Sequence, residues 1–170
     1  AIALWRTTIE QMPHEVSLYP AIAFALSDSG RFEEAAEAWT TAEWVQPLTA
    51  PMHTRFAQVL SRTGDWSSAL AHASEAVNRD QSDADAASTL GWLLAAAPGH
   101  GDPGQALEVA RRLTASRPRD PNALDLLAAA EAANGNFDKA TRLAERARRN
   151  AHSAIHARAI AQRAARYREN

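Results

Sequence analysis

The sequence predicts an all-α fold in which antiparallel helix pairs follow one another along the chain. Ala and Leu supply much of the 46% apolar fraction and β-branched residues are sparse, a composition that favours helices over a sheet. Side chains of similar size recur at intervals of 34 residues, with one interval of 37. Glycines stand between the halves of most repeats, where a helix pair needs a break. At 170 residues, the chain is long enough for one continuous core.

Small residues recur in register along the chain. One column contains only alanines, with spacings of 34, 34, 37 and 34 residues: Ala1, Ala35, Ala69, Ala106 and Ala140. Four residues later, a second column mixes tryptophan with alanine: Trp5, Trp39, Ala73, Ala110 and Ala144. A third column, in the preceding helical segments, contains Ala23, Ala57, Gly91 and Ala128. Small side chains at fixed positions let neighbouring helices approach closely, while larger residues fill the space between pairs.

A turn divides each repeat into two helical segments. Glycine supplies the break in three repeats, where a helix end needs positive φ: Gly30, Gly64 and Gly135. An aromatic residue follows two positions later, before an apolar stripe at helical spacing: Phe32, Trp66 and Phe137. The third repeat is three residues longer and has the loop 99–104 at this place.

Together these features resemble the tetratricopeptide repeat (TPR) family, whose 34-residue helix–turn–helix unit carries small residues, an aromatic residue and a closing proline. The closing proline is present at Pro13, Pro47 and Pro118, and two units replace it with Gln81 and His152. A further departure is Glu131, whose counterparts in the other units are Leu26, Leu60 and Leu94. The resemblance implies a TPR solenoid, a right-handed superhelical array of antiparallel helix pairs.

The repeat register describes residues 1–170 as a single TPR domain. Residues 1–13 are expected to form the second helix of a truncated repeat. Four repeats follow, at 16–49, 50–83, 84–120 and 121–154. Residues 155–170 alternate Ala and Ile with Arg and are predicted to form the polar-faced capping helix with which a solenoid stops stacking. The register predicts ten helices.

The beginning of the chain indicates a fragment, because residue 1 lies inside a predicted helix. The segment 90–106, with 124–127, resembles terminal repeats of some bacterial multidomain proteins, so we expect a larger bacterial parent. Ile2, Trp5 and Ile9 would then lack the cover of a preceding helix, and we expect self-association through residues 1–11. No apolar run approaches the length that spans a bilayer. Cytoplasm and periplasm both stay open, since a targeting segment would lie upstream of residue 1.

Charge is distributed unevenly along the chain. Residues 1–138 carry 9 Lys+Arg against 18 Asp+Glu, a net charge of −9, whereas residues 139–170 carry 9 against 2, a net charge of +7. The Arg-rich end could contact nucleic acid or an acidic partner, but a solvated last helix has the same composition. We therefore treat nucleic-acid binding as an alternative.

No cofactor or metal site is predicted from the sequence. The absence of cysteine excludes disulfides and thiolate zinc sites. The string from Gly99 to Gly104 matches G-x-G-x-x-G, but a helix precedes it and Asp102 puts negative charge where a phosphate would bind. The dinucleotide motif needs a strand there, so we interpret 99–104 as an ordinary inter-helix loop.

Histidines and aspartates also have simpler explanations than chemistry. His152 and His156 are four residues apart but have no third ligand beside them. The other histidines are scattered and form no metal motif: His14, His53, His72 and His100. Asp80, Asp83 and Asp85 precede a helix, where Ser82 or Asp83 can cap free amides. No catalytic triad is recognisable, and we predict that the segment is not an enzyme.

The resemblance to TPR proteins implies a protein–protein interaction scaffold or adaptor. Such arrays bind a peptide or helix on a concave groove lined by the first helix of each pair. The repeat step places nine residues on or beside that groove: Phe24, Arg55, Gln58, Ser88, Thr89, Trp92, Asp125, Arg163 and Arg166. The aromatic residues among them suit a ligand with apolar side chains.

Some alternatives remain for this surface. The Lys and Asn clamp that some TPR domains use for a chaperone's carboxylate is replaced here by Pro20 and Phe24, which argues against that ligand. Trp92 could pack against the loop after Pro98 instead of facing a ligand. The segment could also be the regulatory or assembly tail of a larger enzyme.

Overall fold

The helices begin and end near the breaks in the repeat pattern. The computed structural model describes residues 15–169, and this range contains nine α-helices and no strand. They are α1 (Leu18–Asp28), α2 (Phe32–Val45), α3 (Ala50–Thr63), α4 (Trp66–Arg79), α5 (Ala84–Ala96), α6 (Pro103–Ser116), α7 (Pro121–Ala133), α8 (Phe137–Asn150) and α9 (Ala154–Arg168). The all-α prediction is confirmed. The predicted helix at 1–13 and the self-association face at 1–11 lie outside the described residues.

The chain forms two compact units, unit 1 (Ala1–Gln81) and unit 2 (Ser82–Asn170). In unit 1, α1 packs against α2 and α3 packs against α4. In unit 2, α5 pairs with α6 and α7 pairs with α8, while α9 packs on α8. Both units are therefore built from the helix–turn–helix pairs that the repeat predicts.

Three of the turns have the backbone conformation that their glycines indicate. Gly30, Gly64 and Gly135 have φ values of 71°, 87° and 78°. At Gly64, for example, the next amide, from Asp65, donates to the carbonyl of Leu60 at 3.0 Å. The same carbonyl also accepts from the amide of Gly64, so the amides of the turn close the end of α3.

Short polar side chains cap the beginnings of five helices. The carboxylate of Asp83 accepts bonds from the amides of Asp85 and Ala86, which confirms one of the two caps proposed for α5. Four more caps use the same chemistry, at α4, α6, α7 and α9: Asp65, Asp102, Asp120 and Ser153. Each supplies an oxygen to amides that have no helical acceptor.

The core of unit 1 is a layer of alanines around one large ring. Ala35, Ala69 and Ala73 are fully buried, as the columns require. Trp39 is also fully buried, and its ring meets the edge of Phe24 at 4.8 Å and stacks on Phe56 at 6.1 Å between ring centres. The small residues let α2 and α4 approach α3, and the aromatic rings fill the space that remains.

Helix α7 forms the centre of unit 2. It contacts α5, α6 and α8, and ten of its thirteen residues are buried. A Cβ atom added at Gly91 of α5 would lie 2.7 Å from Cδ2 of Leu126, so any larger residue would require the Leu126 side chain to shift. A cluster of buried side chains connects α7 with α8 and α9: Leu124, Ala128, Ala144, Ala147, Ile160 and Ala164.

Glu131 is the polar residue at the position where the other repeats have leucine. It is 1% exposed, and its carboxylate is 2.6 Å from Nζ of Lys139 and accepts a 2.9 Å hydrogen bond from the side chain of Asn136. Burial raises the pKa of this carboxyl, but the hydrogen bonds from Lys139 and Asn136, together with the charges of Lys139 and Arg111, outweigh it and hold the pKa below its usual range. The departure from the repeat therefore ties the α7–α8 turn to the core.

Candidate protein-binding surface

The predicted groove residues all lie on the first helix of a pair or on α9. In unit 1, Phe24 is on α1, and Arg55 and Gln58 are on α3. In unit 2, α5 carries Ser88, Thr89 and Trp92, α7 carries Asp125, and α9 carries Arg163 and Arg166.

Arg55 and Gln58 line one pocket of unit 1. Its volume is about 530 Å³, and its wall mixes polar groups with two aromatic rings: Ser27, Asp28, Phe32, Arg55, Gln58, Val59, Ser61, Arg62 and Trp66. Arg55 forms an ion pair with Asp28, so α3 and α1 are joined at this place. Phe24 is half-buried and packs on the core residue Trp39. Part of its ring therefore serves the core of unit 1.

Unit 2 brings together three of the predicted residues. The guanidinium of Arg163 donates from Nε to Oδ1 of Asp125 at 3.2 Å and from Nη2 to Oδ2. The same guanidinium lies over the ring of Trp92, with its carbon 5.4 Å from the ring centre. A residue from each of α5, α7 and α9 thus meets at one place.

Burial shapes the electrostatics of this group. Asp125 is 2% exposed, and this burial raises the pKa of its carboxyl, although the hydrogen bond and charge of Arg163 act in the opposite direction. Tyr167, one helical turn after Arg163, is half-buried, and burial together with the charge of Asp125 raises its pKa to about 12. Arg163 and Asp125 compensate each other's charge, and Asp125 fixes where the guanidinium lies.

The other predicted residues of unit 2 lie on α5 and α9, the helices that carry Trp92 and Arg163. Ser88 and Thr89 are half-buried on α5, within one turn of Trp92, and Arg166 is exposed on α9. Tyr167 is a neighbour that the repeat columns do not single out. The signal was its position four residues after Arg163, which puts both on one face of α9.

A pocket of unit 2 lies between α8 and α9. Its volume is about 510 Å³, and it combines aromatic, basic and acidic side chains: Phe137, Asp138, Thr141, Arg142, Tyr167 and Arg168, together with Gly135. Arg168 is paired with Glu145. In this pocket, Arg142 and Arg168 of the Arg-rich end have the aromatic neighbours Phe137 and Tyr167.

In the loop 99–104, which matches the dinucleotide string, the protein's own side chain caps the beginning of α6. The carboxylate of Asp102 accepts bonds from the amide and the side chain of Gln105, both at 2.9 Å. A phosphate would need these same amides, so the protein's own cap takes the place of the ligand. This agrees with an ordinary inter-helix loop.

Three side chains of unit 1 could hold a metal, and the sequence pattern did not single them out. Within residues 15–169, only Glu43, His53 and His72 form a group of three potential ligand residues, and their ligand atoms lie within 4.8 Å of one another. They come from α2, α3 and α4. His152 and His156, the pair that the sequence singles out, are exposed and half-buried respectively.

Comparison with known proteins identifies the fold. No protein-family model and no curated protein matches the sequence. Among solved structures, the chain is similar to YrrB, described as a TPR protein with an unusual peptide-binding site, with a TM-score of 0.77 and 18% identity over 95% of this chain and 81% of YrrB. MamA from Desulfovibrio magneticus RS-1 gives a TM-score of 0.68 and 18% identity, covering 89% of this chain and 90% of that one.

Yeast Tom70 is a larger protein with the same kind of fold. It matches with a TM-score of 0.70 and 17% identity over 99% of this chain, which spans 36% of the Tom70 structure. These similarities establish that the chain has the TPR fold, as the repeat pattern predicts. No helix within residues 15–169 combines the length and the apolar character that crossing a membrane requires.

Proposed function

We propose that the chain is a protein-interaction module that binds a peptide or a short helix, with Trp92 as the main anchor in unit 2. The observation that carries this proposal is the position of Arg163 between the ring of Trp92 and the buried carboxylate of Asp125. A half-buried tryptophan held by a fixed guanidinium is a rigid amphipathic surface. Such residues dominate the binding energy of protein interfaces.

The chemistry of this group suits a polypeptide ligand. The exposed part of the Trp92 ring can cover an apolar side chain. Arg163 uses two of its five N–H groups for Asp125, and its side chain is 34% exposed. The other N–H groups can serve carbonyl oxygens of a ligand backbone. Orientation by Asp125 lowers the entropy that Arg163 would otherwise lose on binding.

The other predicted residues are assigned supporting roles in the same proposal. In unit 2, Ser88, Thr89 and Arg166 would form the polar rim around Trp92. In unit 1, the pocket that contains Arg55 and Gln58 would take polar groups of a ligand, and Phe24 would add an apolar contact. The fold supports this role, because YrrB, a TPR protein, has a peptide-binding site.

Selection from a random peptide library on the immobilised chain, followed by affinity measurement, tests the proposal. We expect Trp92→Ala to lose about 2 kcal/mol of binding free energy, or about 30-fold in affinity. Trp44→Ala is the matched control, because Trp44 lies on the second helix of a pair and is 86% exposed. Its affinity for the selected peptide should equal that of the unchanged protein.

The same peptides distinguish the groove from other sites. Phe24→Ala should weaken binding less than Trp92→Ala, because part of the Phe24 ring packs on Trp39. Helicity and melting temperature must be checked first for each variant. If folded Trp92→Ala binds normally, while Trp44→Ala, His100→Ala or His152→Ala abolishes binding, the peptide uses another surface and the proposal is wrong.

An acidic or nucleic-acid ligand is the second candidate function, and one observation favours it. The pocket between α8 and α9 places Arg142 and Arg168 near the rings of Phe137 and Tyr167. Stacking rings beside cations are a feature of single-strand binding. Asp138 in the same pocket acts against a polyanion, and salt dependence separates the two candidates.

A further inference from the structure

In the second repeat, two histidines stand at positions where the fourth repeat has leucines of a hydrophobic cluster. His53 stands in the column of Tyr19, Ala87 and Leu124, and His72 stands in the column of Ala38, Val109 and Leu143. In unit 2, Leu124 and Leu143 pack in one hydrophobic cluster. Unit 1 therefore uses two imidazoles where another repeat uses two leucines, and burying such polar rings has a cost that leucine does not have.

The two imidazoles face each other through the same ring atom. Nδ1 of His53 is 2.9 Å from Nδ1 of His72, and the ring centres are 5.2 Å apart. His53 is buried, and the His72 side chain is 16% exposed. The ring of Phe56 packs against the ring of His72, with 4.2 Å between the ring centres, and Trp39 stacks on Phe56. The aromatic core thus holds both rings in position.

A carboxylate completes the group from the solvent side. Oε1 of Glu43 lies 4.0 Å from Nδ1 of His72, and the Glu43 side chain is 44% exposed. The negative charges of Glu43 and Glu75 favour a positive ion beside the two imidazoles. The positive charge of Arg79 acts in the opposite direction, but Arg79 forms a 2.7 Å ion pair with Glu75. Burial is the main cause that lowers the pKa of both histidines, and it acts in the direction that favours neutral rings.

We propose that Glu43, His53 and His72 form a binding site for a divalent transition-metal ion of the zinc type. Two imidazole nitrogens and one carboxylate are a ligand set that zinc uses, with water in the fourth position. Zn–N bonds of about 2.0–2.1 Å at a tetrahedral angle place two nitrogens about 3.3 Å apart, so the nitrogens need to separate by about 0.4 Å and both rings need to turn toward the ion. Glu43 is on the exposed side and can move to the ion.

Metal binding changes the tautomer of one ring. In the metal-free pair, one Nδ1 carries a proton and donates it to the other Nδ1. A metal ion between the rings needs both Nδ1 lone pairs, so the donor ring moves its proton to Nε2 and both rings stay neutral. The ion then takes the place of the shared proton and cross-links α2, α3 and α4.

Zinc binding to chelator-treated protein tests this site. We expect one Zn²⁺ per chain by calorimetry, an increase in melting temperature with Zn²⁺, and no such effect of Mg²⁺, which prefers oxygen ligands. The Co²⁺ complex should show the intense visible absorption of a tetrahedral ion. His72→Gln should weaken Zn²⁺ binding by more than about ten-fold, and Glu43→Gln by about ten-fold.

Matched variants keep the test decisive if His72→Gln fails to fold. Glu43 is exposed, so Glu43→Gln should fold normally, and Glu37→Gln removes an exposed charge from the same helix without touching the group. Glu37→Gln should keep the affinity for Zn²⁺. The proposal is overturned if the protein takes up no Zn²⁺, if Glu43→Gln and His72→Gln bind it unchanged, or if His152→Gln/His156→Gln is the variant that loses it.

Discussion

At the scale of single residues, Glu131 shows how a buried charge can occupy a leucine position. Its counterparts Leu26, Leu60 and Leu94 are buried apolar side chains. Glu131 keeps its charge because Lys139 and Asn136 lie at the protein surface and reach inward to it. Both partners belong to the α7–α8 turn and the first turn of α8, so the charge has a structural role that a leucine could not supply.

Replacement of this carboxylate should have a pH-dependent effect. The folded-state pKa of Glu131 lies below the usual value of about 4.5 for a glutamate, so the ionised group stabilises the fold above about pH 4.5. That stabilisation is lost as the pH falls through the folded-state pKa. We expect Glu131→Gln to lower the free energy of unfolding by about 1 kcal/mol at pH 7, because Lys139 is half-exposed and its bond is partly screened.

Urea denaturation at a series of pH values provides the measurement. The difference between the unchanged protein and Glu131→Gln should shrink as the pH falls below about 4.5. Glu108→Gln, an exposed change on α6, serves as the control and should follow the unchanged protein. A difference that stays constant down to acidic pH would mean that packing, not ionisation, explains the effect.

At the scale of helices, the sequence predicts what depends on side-chain size and local conformation. Ala35, Ala69, Ala106 and Ala140 are all fully buried, because a repeated helix pair requires a small residue at the same contact. The glycine turns follow from positive φ, which depends on a few neighbouring residues only. Helix pairs, turns and buried columns can therefore be predicted from the spacing of residues in the sequence.

Contacts between side chains that are far apart in sequence cannot be predicted in the same way. Asp125 and Arg163 are 38 residues apart, and His53 and His72 are 19 apart on different helices. No short motif connects such residues, because only the packed units bring them within hydrogen-bond distance. For the same reason, the sequence pattern does not single out Glu43, His53 and His72, whereas His152 and His156 stand out because they are close in sequence.

The register itself predicts the result of one core substitution. Ala128 is fully buried in the cluster that joins α7 to α8 and α9. We expect Ala128→Leu to overpack this cluster and to lower the stability by about 1–3 kcal/mol. Ala133→Leu adds the same side chain at an exposed position of α7 and should change the stability by less than about 0.5 kcal/mol. Equal melting temperatures for both variants would show that the column assignment is wrong.

At the scale of the whole molecule, the two units differ in charge. Residues 1–81 carry 5 Lys+Arg against 10 Asp+Glu, a net charge of −5, whereas residues 82–170 carry 13 against 10, a net charge of +3. Several of the basic side chains are already paired, among them Arg163 with Asp125 and Arg168 with Glu145. Net charge alone therefore overstates the attraction of unit 2 for a polyanion.

Salt dependence of binding should decide between a polypeptide and a nucleic-acid ligand. A peptide bound at Trp92 would gain its affinity by covering the exposed part of that ring. The charge of Arg163 is compensated by the buried carboxylate of Asp125, and salt screens such a buried pair little. We expect the affinity for a library-selected peptide to fall less than about five-fold between about 50 mM and about 200 mM salt. A ligand that makes six or more phosphate contacts would lose about 10³-fold or more in affinity over the same range.

A single-stranded oligonucleotide serves as the comparison probe. If it binds more tightly than the peptide and with the steep slope, and if Arg142→Gln weakens it while Trp92→Ala does not, the Arg-rich pocket is the functional surface.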